Sequence, residues 1–303
     1  MLKLITFFQI FSLITWGNAQ VVKDTTFTDH SEYVKTIKKY SFIIPVEYKK
    51  SENIVFEKDL IYKSENGRDL HFDALLNKEK ENYPAVILIH GGGWKSGDKK
   101  MMYPLAENLA ENGYNCFEIE YRLSDEVKYP GGVDDVINAI KFIKKNKKKF
   151  NINSNKIAIL GVSSGGQMAA LIGNKYPDLV NAIVDIDGIL AFHHPESAEG
   201  KVAALWLGGT YEEKPKIWEE ASASNHVSVN SPPILFLNSQ NVRFHAGRDD
   251  MIEKLKEFSV DCHVVTIPET PHTFWIFHPW FEETTYFINS FLDQKLKTKS
   301  KNF

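Results

Sequence analysis

The segment Gly161-Val162-Ser163-Ser164-Gly165 stands between a β-branched apolar run, Ile157 to Leu160, and a helix-forming stretch that opens Gly165-Gly166-Gln167-Met168-Ala169-Ala170. A serine in G-x-S-x-G at a strand-to-helix junction requires a very tight turn, where side chains at the glycine positions would crowd the backbone. The turn holds the hydroxyl out over the sheet edge, beside a helix N-terminus that favours developing negative charge. An isolated glycine-rich turn has the same letters. The strand–turn–helix setting is what makes Ser163 a candidate nucleophile.

The rest of the chain repeats that setting. Ile54 to Tyr62 and Leu70 to Leu76, joined across the Asn66-Gly67 turn, predict an antiparallel hairpin. Ala85 to Ile89, Tyr114 to Tyr121, Lys156 to Leu160, Val180 to Ile186, Ile234 to Leu237 and His263 to Ile267 read as strands. Helices are expected at about 101–112, over Val133 to Ile143, and at about 164–175, 247–258 and 279–294. Strands alternating with helices predict an α/β fold: a mostly parallel central sheet with helices on both faces. Residues 188–231, with Trp206, Tyr211 and Trp218, break the rhythm and read as an insertion over the carboxyl edge of the sheet, where ligands bind in such folds. The expected organisation is a signal segment at 1–19, an N-terminal arm at 20–50, the α/β domain at 51–294 and a basic tail at 295–303.

Two further segments complete a possible chemistry. His90-Gly91-Gly92-Gly93-Trp94 follows directly on the strand 85–89. Successive glycines let backbone N–H groups turn inward, so Gly92 and Gly93, with Ser164 after the nucleophile, are candidate donors to a tetrahedral oxyanion. A phosphate loop is the rival reading, but Lys95-Ser96 lacks the G-x-x-x-x-G-K spacing. Serine is a weak nucleophile without a base. Among ten histidines, His272 lies just past the final strand, where a base is expected, with His278 and His245 as alternatives.

Composition sets outer limits. Hydrophobic residues at 43% and charged residues at 25% exclude a disordered chain. Net charge −3 argues against binding nucleic acid in bulk, and the lysine run from Lys141 to Lys149 reads as the solvated end of a helix. Neither H-E-x-x-H nor a comparable ligand spacing occurs, so no metal is expected. Cys116 and Cys262 read as small hydrophobes in buried strands. Residues 1–19 combine Lys3, an apolar stretch from Leu4 to Trp16 and Gly17-Asn18-Ala19, the pattern of a secretory signal cleaved before Gln20. That stretch is short for a membrane span, and no other segment reaches the length of one, so the mature chain is expected to carry no integral membrane segment.

The chain resembles α/β-hydrolase esterases of the hormone-sensitive-lipase-like and bacterial carbohydrate-esterase branches. The residues that carry the likeness are His90-Gly91-Gly92-Gly93-Trp94, Tyr121-Arg122-Leu123-Ser124, Tyr129-Pro130 with Asp134-Asp135-Val136, Gly161 to Gly166, and Pro271-His272-Thr273-Phe274. The resemblance implies an α/β-hydrolase fold, a Ser–His–acid triad, no cofactor, and an ester substrate such as an acetyl, methyl or feruloyl ester on polysaccharide. It implies an acid about five residues past the strand 234–237, yet Asn238 to Arg243 contains no carboxylate. Asp249 is the favoured acid, with Asp187 the alternative. Trp94, Arg243 and Arg248 are candidate substrate contacts: Trp94 by stacking on a sugar, the arginines by gripping a uronate carboxylate. Other enzymes remain open on these residues, including lipid or small-molecule carboxylesterases and exopeptidases, as does a non-catalytic binding protein of the same fold.

Overall fold

In this computed structural model the described residues are 24, 26–77, 79, 81–198 and 200–297. The candidate signal at 1–19 lies outside them, as do the last six residues of the basic tail. In chain order the strands are β1 (Ile44–Pro45), β2 (Ile54–Glu65), β3 (Arg68–Asn77), β4 (Tyr83–Ile89), β5 (Asn115–Ile119), β6 (Ile152–Val162), β7 (Ala182–Ile186), β8 (Ile234–Asn238), β9 (Cys262–Thr266) and β10 (Phe277–His278). The α-helices are α1 (Asp29–Thr36), α2 (Tyr103–Glu111), α3 (Gly131–Lys145), α4 (Ser164–Lys175), α5 (Gly200–Leu207), α6 (Pro215–Ala221), α7 (Arg248–Glu257) and α8 (Trp280–Leu292).

Eight strands form one sheet in the order β2-β3-β5-β4-β6-β7-β8-β9. The hairpin β2–β3 joins antiparallel to β5, and every later pair is parallel. The run at β4 shows why its residues are apolar without a break. Ala85, Ile87 and Ile89 belong to the core shared with α3, α4 and α7, while Val86 and Leu88 belong to the core shared with α2 and α8. A strand covered on both faces has no solvated side to favour polar residues. β9, at the sheet edge, is only partly covered, and Cys262 at its start is half-buried. The expectation of two buried cysteines therefore holds for Cys116 in the central β5 and fails for Cys262, because an edge strand lacks a neighbour on one side.

The N-terminal arm is tied down. Thr28 and Ser31 form reciprocal capping hydrogen bonds that start α1. β1 then pairs antiparallel with β10, and the Val46 N–H donates to the Ile276 carbonyl. The arm thus holds the segment just past His272. The insertion between β7 and β8 contributes α5 and α6, with Trp206 and Trp218 inside the main core. No helix of the described residues is long and apolar enough to cross a membrane.

Candidate active site

Three carboxyl ends of adjacent parallel strands meet at one point: the loop after β4, the turn after β6 and the turn after β7. Ser163 sits in the turn after β6 with φ +54° and ψ −124°, a backbone that L-residues rarely adopt. Its N–H donates to the Ile186 carbonyl at 2.7 Å, which anchors the elbow to β7. The motif glycines are dictated by close approach. A Cβ at Gly161 would lie 2.0 Å from the Gly165 carbonyl oxygen, and one at Gly165 would lie 2.2 Å from the Ile89 carbonyl oxygen. α4 begins at Ser164, so the first N–H groups of that helix point at the space beside Ser163 with no partner of their own in the helix.

His272 Nε2 lies 2.9 Å from Ser163 Oγ, and its Nδ1 lies 3.0 Å from Asp187 Oδ2. The second oxygen, Asp187 Oδ1, accepts the Ser239 N–H at 2.8 Å. The Asp187 side chain is wholly buried, whereas the imidazole is 19% exposed. Phe244 stacks on one face of His272 at 3.5 Å between centroids, and Trp275 meets the ring edge-on at 5.4 Å. This array connects a hydroxyl, a base and a buried carboxylate in one hydrogen-bonded line. It is the arrangement that lets an imidazole take a proton from a serine while its charged form is stabilised from behind.

The acid is the main correction to the sequence reading. Asp249 lies in the first turn of α7, its side chain is 73% exposed, and it accepts from Arg248 Nε at 2.8 Å. α7 buries Met251 and Leu255, which turns Asp249 toward solvent. Asp187, the alternative, is the residue that reaches His272. It stands one residue past β7 with φ +50°. Because β7 neighbours β6, Ser163 and Asp187 emerge side by side, and His272 spans them from above. The slot after β8 contributes a backbone N–H, that of Ser239, in place of a carboxylate. The alternative bases are elsewhere: His278 pairs with Glu282 of α8, and His245 is buried, its pKa lowered by burial and by Arg248.

Gly93 and Ser164 line a small cavity of about 30 Å³ together with Trp94, Ser163, Asp187, Ile189 and Phe244. Gly92 is not among the lining residues. Its carbonyl accepts from the N–H groups of Lys95 and Ser96, and at φ +118° a Cβ there would lie 2.2 Å from the Ser96 carbonyl oxygen. Gly92 thus shapes the loop whose next residue, Gly93, faces the cavity. The other residues of the recognised pattern brace this loop. Ser124 donates to the Trp94 carbonyl through both N–H and Oγ, and Tyr121 Oη donates to the His90 carbonyl. Arg122 is held by Asp135 through two hydrogen bonds of 2.7 and 2.9 Å.

Two expected substrate contacts are corrected. Trp94 is 2% exposed, stacks on Trp206 at 4.9 Å and donates its indole N–H to Gln167 Oε1. It forms a wall of the cavity and offers no open face to a sugar. Arg248 donates to Asn238 Oδ1 and to Asp249, so its guanidinium is turned into the protein behind the acid. Arg243 is exposed, with its guanidinium 4.3 Å from the Phe244 ring centre. Ile189, Phe244 and Ser239 were not marked by the sequence reading: Ile189 and Ser239 lie in irregular turns and Phe244 in the short 3-10 turn Val242–His245, where no periodicity points to a site.

Comparison with known proteins agrees with this architecture. The BD-FAE family model matches residues 72–244, a span that holds Gly93, Ser163 and Asp187 and stops before His272. The chain is 28% identical over 188 residues to Esterase LipC of Mycobacterium tuberculosis, covering 56% of this chain and 45% of the relative. It is 27% identical over 241 residues to the probable carboxylic ester hydrolase LipM of the same organism, covering 71% and 56%. The chain therefore spans about half the length of these two relatives. Among solved structures it is similar to a truncated carbohydrate esterase from gut microbiota, with TM-score 0.70, 23% identity and coverage of 84% and 99%. It is also similar to an acetyl ester-xyloside bifunctional hydrolase from Caldicellulosiruptor lactoaceticus, with TM-score 0.67, 21% identity and coverage of 83% and 95%. These likenesses give the α/β-hydrolase fold, and with more than half of its length matched the chain belongs to the BD-FAE family.

Proposed function

We propose that the protein is an exported serine esterase that removes acetyl groups from polysaccharide. The observation that carries the reading is the Ser163–His272–Asp187 line beside a cavity lined by Gly93 and Ser164. Ser163 Oγ attacks the ester carbonyl carbon as His272 Nε2 takes its proton. The carbonyl oxygen, now negative, is stabilised by the N–H groups of Gly93 and Ser164. His272 returns the proton to the departing alcohol, and a water activated by the same imidazole releases the acid from Ser163. Asp187 holds the Nδ1 proton throughout and stabilises the imidazolium.

The size of the cavity supports acetyl as the acyl group. A water-sized group needs roughly 10–15 Å³ on this measure, so about 30 Å³ takes some two such groups. A methyl and a carbonyl oxygen match that; a feruloyl chain does not. Beside Phe244, a wall of the cavity, stands the exposed Arg243, whose guanidinium suits a uronate carboxylate on an acetylated chain. The names of the neighbouring carbohydrate esterase and acetyl ester-xyloside hydrolase support a sugar as that alcohol. Purified protein should release acetate from acetylated xylan. With p-nitrophenyl esters, the rate should fall about a hundredfold from acetate to butyrate, since two methylenes are added and each misfitting one is discriminated by roughly tenfold. Fastest turnover on octanoate would replace this reading with a lipid esterase, and no turnover of any ester would leave a binding protein.

Export rests on Lys3, the apolar stretch to Trp16 and Gly17-Asn18-Ala19. N-terminal sequencing of protein from its native host should begin at Gln20. A mature chain still starting at Met1 in the cytosol would remove both the localisation and the polymeric substrate.

A further inference from the structure

One buried carboxyl at the site has no part in the chemistry just described. Asp185 lies in β7, fully buried, two residues before Asp187. Its Oδ1 accepts the Gly188 N–H at 3.0 Å, and its Oδ2 has no hydrogen-bond partner among the described residues. The space around it is made by glycines of two different segments. A Cβ at Gly166, in the first turn of α4, would lie 2.3 Å from Asp185 Oδ1, and a Cβ at Gly188 would lie 2.2 Å from the same atom. The carboxyl is thus wedged between the helix that follows the nucleophile and the turn that carries the acid.

We propose that Asp185 is a positioning residue: by accepting the Gly188 N–H and filling the gap to Gly166, it fixes the Asp187 turn against the nucleophile helix. The turn needs such a strut. Asp187 stands at φ +50°, a conformation that aspartate tolerates but that surrounding contacts help to hold. On one side of Asp187 is Ile186, whose carbonyl holds the Ser163 N–H; on the other is Gly188, held by Asp185. Both flanks of the acid are therefore pinned, one by a main-chain hydrogen bond to Ser163 and the other by the Asp185 side chain.

The strut works as an uncharged group. Burial, reinforced by the neighbouring Asp187 charge, pushes the Asp185 carboxyl well above the usual carboxylate range, while the Gly188 N–H and Arg248 pull the other way. Asp187 differs in its partners: His272 Nδ1 and the Ser239 N–H both face its carboxyl, whereas Asp185 Oδ2 has no such partner among the described residues.

This inference rests on Asp187 being the triad acid, and its test separates the two. Asp185→Asn keeps the shape and the acceptor without a charge and should retain kcat to within a few-fold. Asp185→Ala removes both and should lower kcat roughly 10- to 100-fold at unchanged KM, the scale of a misplaced catalytic group. In an Asp187→Asn background the same Asp185→Ala change should cost little more, because the strut acts only through the acid. Asp185→Ser, too short to reach Gly188, serves if the alanine variant does not fold. The proposal is overturned if Asp185→Asn is as damaging as Asp185→Ala, if Asp185→Ala keeps full kcat, or if the losses multiply in the double variant. An Asp187→Asn variant that is itself fully active would instead overturn the triad.

Discussion

Ser163→Ala is expected to lower ester turnover by roughly 10⁶-fold, the scale at which serine hydrolases lose activity without their nucleophile. The change removes one oxygen and keeps the Cβ. The strained backbone at φ +54°, the Ile186 anchor and the helix behind it are therefore untouched, and thermal stability should hardly move. What disappears is the hydroxyl that lies within hydrogen-bond reach of His272 Nε2. Residual catalysis would come from the Gly93 and Ser164 donors and from substrate binding, roughly 10³- to 10⁴-fold over water. A serine-directed phosphonate should attach to Ser163 in the wild type and to nothing in the variant. Attachment elsewhere, or full activity without the hydroxyl, would end the serine mechanism.

Asp187→Asn should cost about 10⁴ in kcat, and the structure gives a specific reason. Asp187 Oδ1 accepts the Ser239 N–H, a fixed donor. An asparagine must keep its oxygen toward that donor, which turns its amide NH₂ toward His272 Nδ1. The imidazole then carries its proton on Nε2, facing Ser163, and cannot take another. Asp249→Asn is the matching control. Its carboxylate is exposed and, among the described residues, pairs with the neighbouring Arg248, so turnover should change by no more than a few-fold. Steady-state kinetics on p-nitrophenyl acetate for the two variants decides between them, and the reverse order of losses would restore Asp249 as the acid.

The contrast between these two aspartates shows what could be read along the chain. Ser163, the glycine loop and His272 each follow a local signal: a strand–turn–helix junction, a glycine run after a buried strand, a histidine past the last strand. The central strands were legible because burial on both faces makes their residues predominantly apolar. The acid has no such signal. Which strand end meets His272 depends on the lateral order of β6, β7 and β8 and on the path of the loop after β9, both long-range facts. The trace that existed was an Asp-Gly pair one residue past β7, the composition of a turn with positive φ. Side-chain direction was equally hidden. Trp94 and Arg248 have the chemistry of substrate contacts, and Gln167, Trp206 and Asn238 turn both inward. The arm at 20–50 was marked, but its anchorage was not, since a two-residue ladder between β1 and β10 leaves no pattern in either segment.

Seating the acid after β7 alters which part of the molecule is open to divergence. Ser163 and Asp187 are set by the ladder of two neighbouring central strands, where a shift would disturb the whole sheet. The loop after β8 supplies the triad with only the Ser239 N–H, which any residue except proline can offer. Its side chains, including exposed Val242 and Arg243 and the Phe244 ring over the base, are released from holding a charge. That leaves beside the reaction centre a stretch whose side chains can be exchanged with the proton relay left intact.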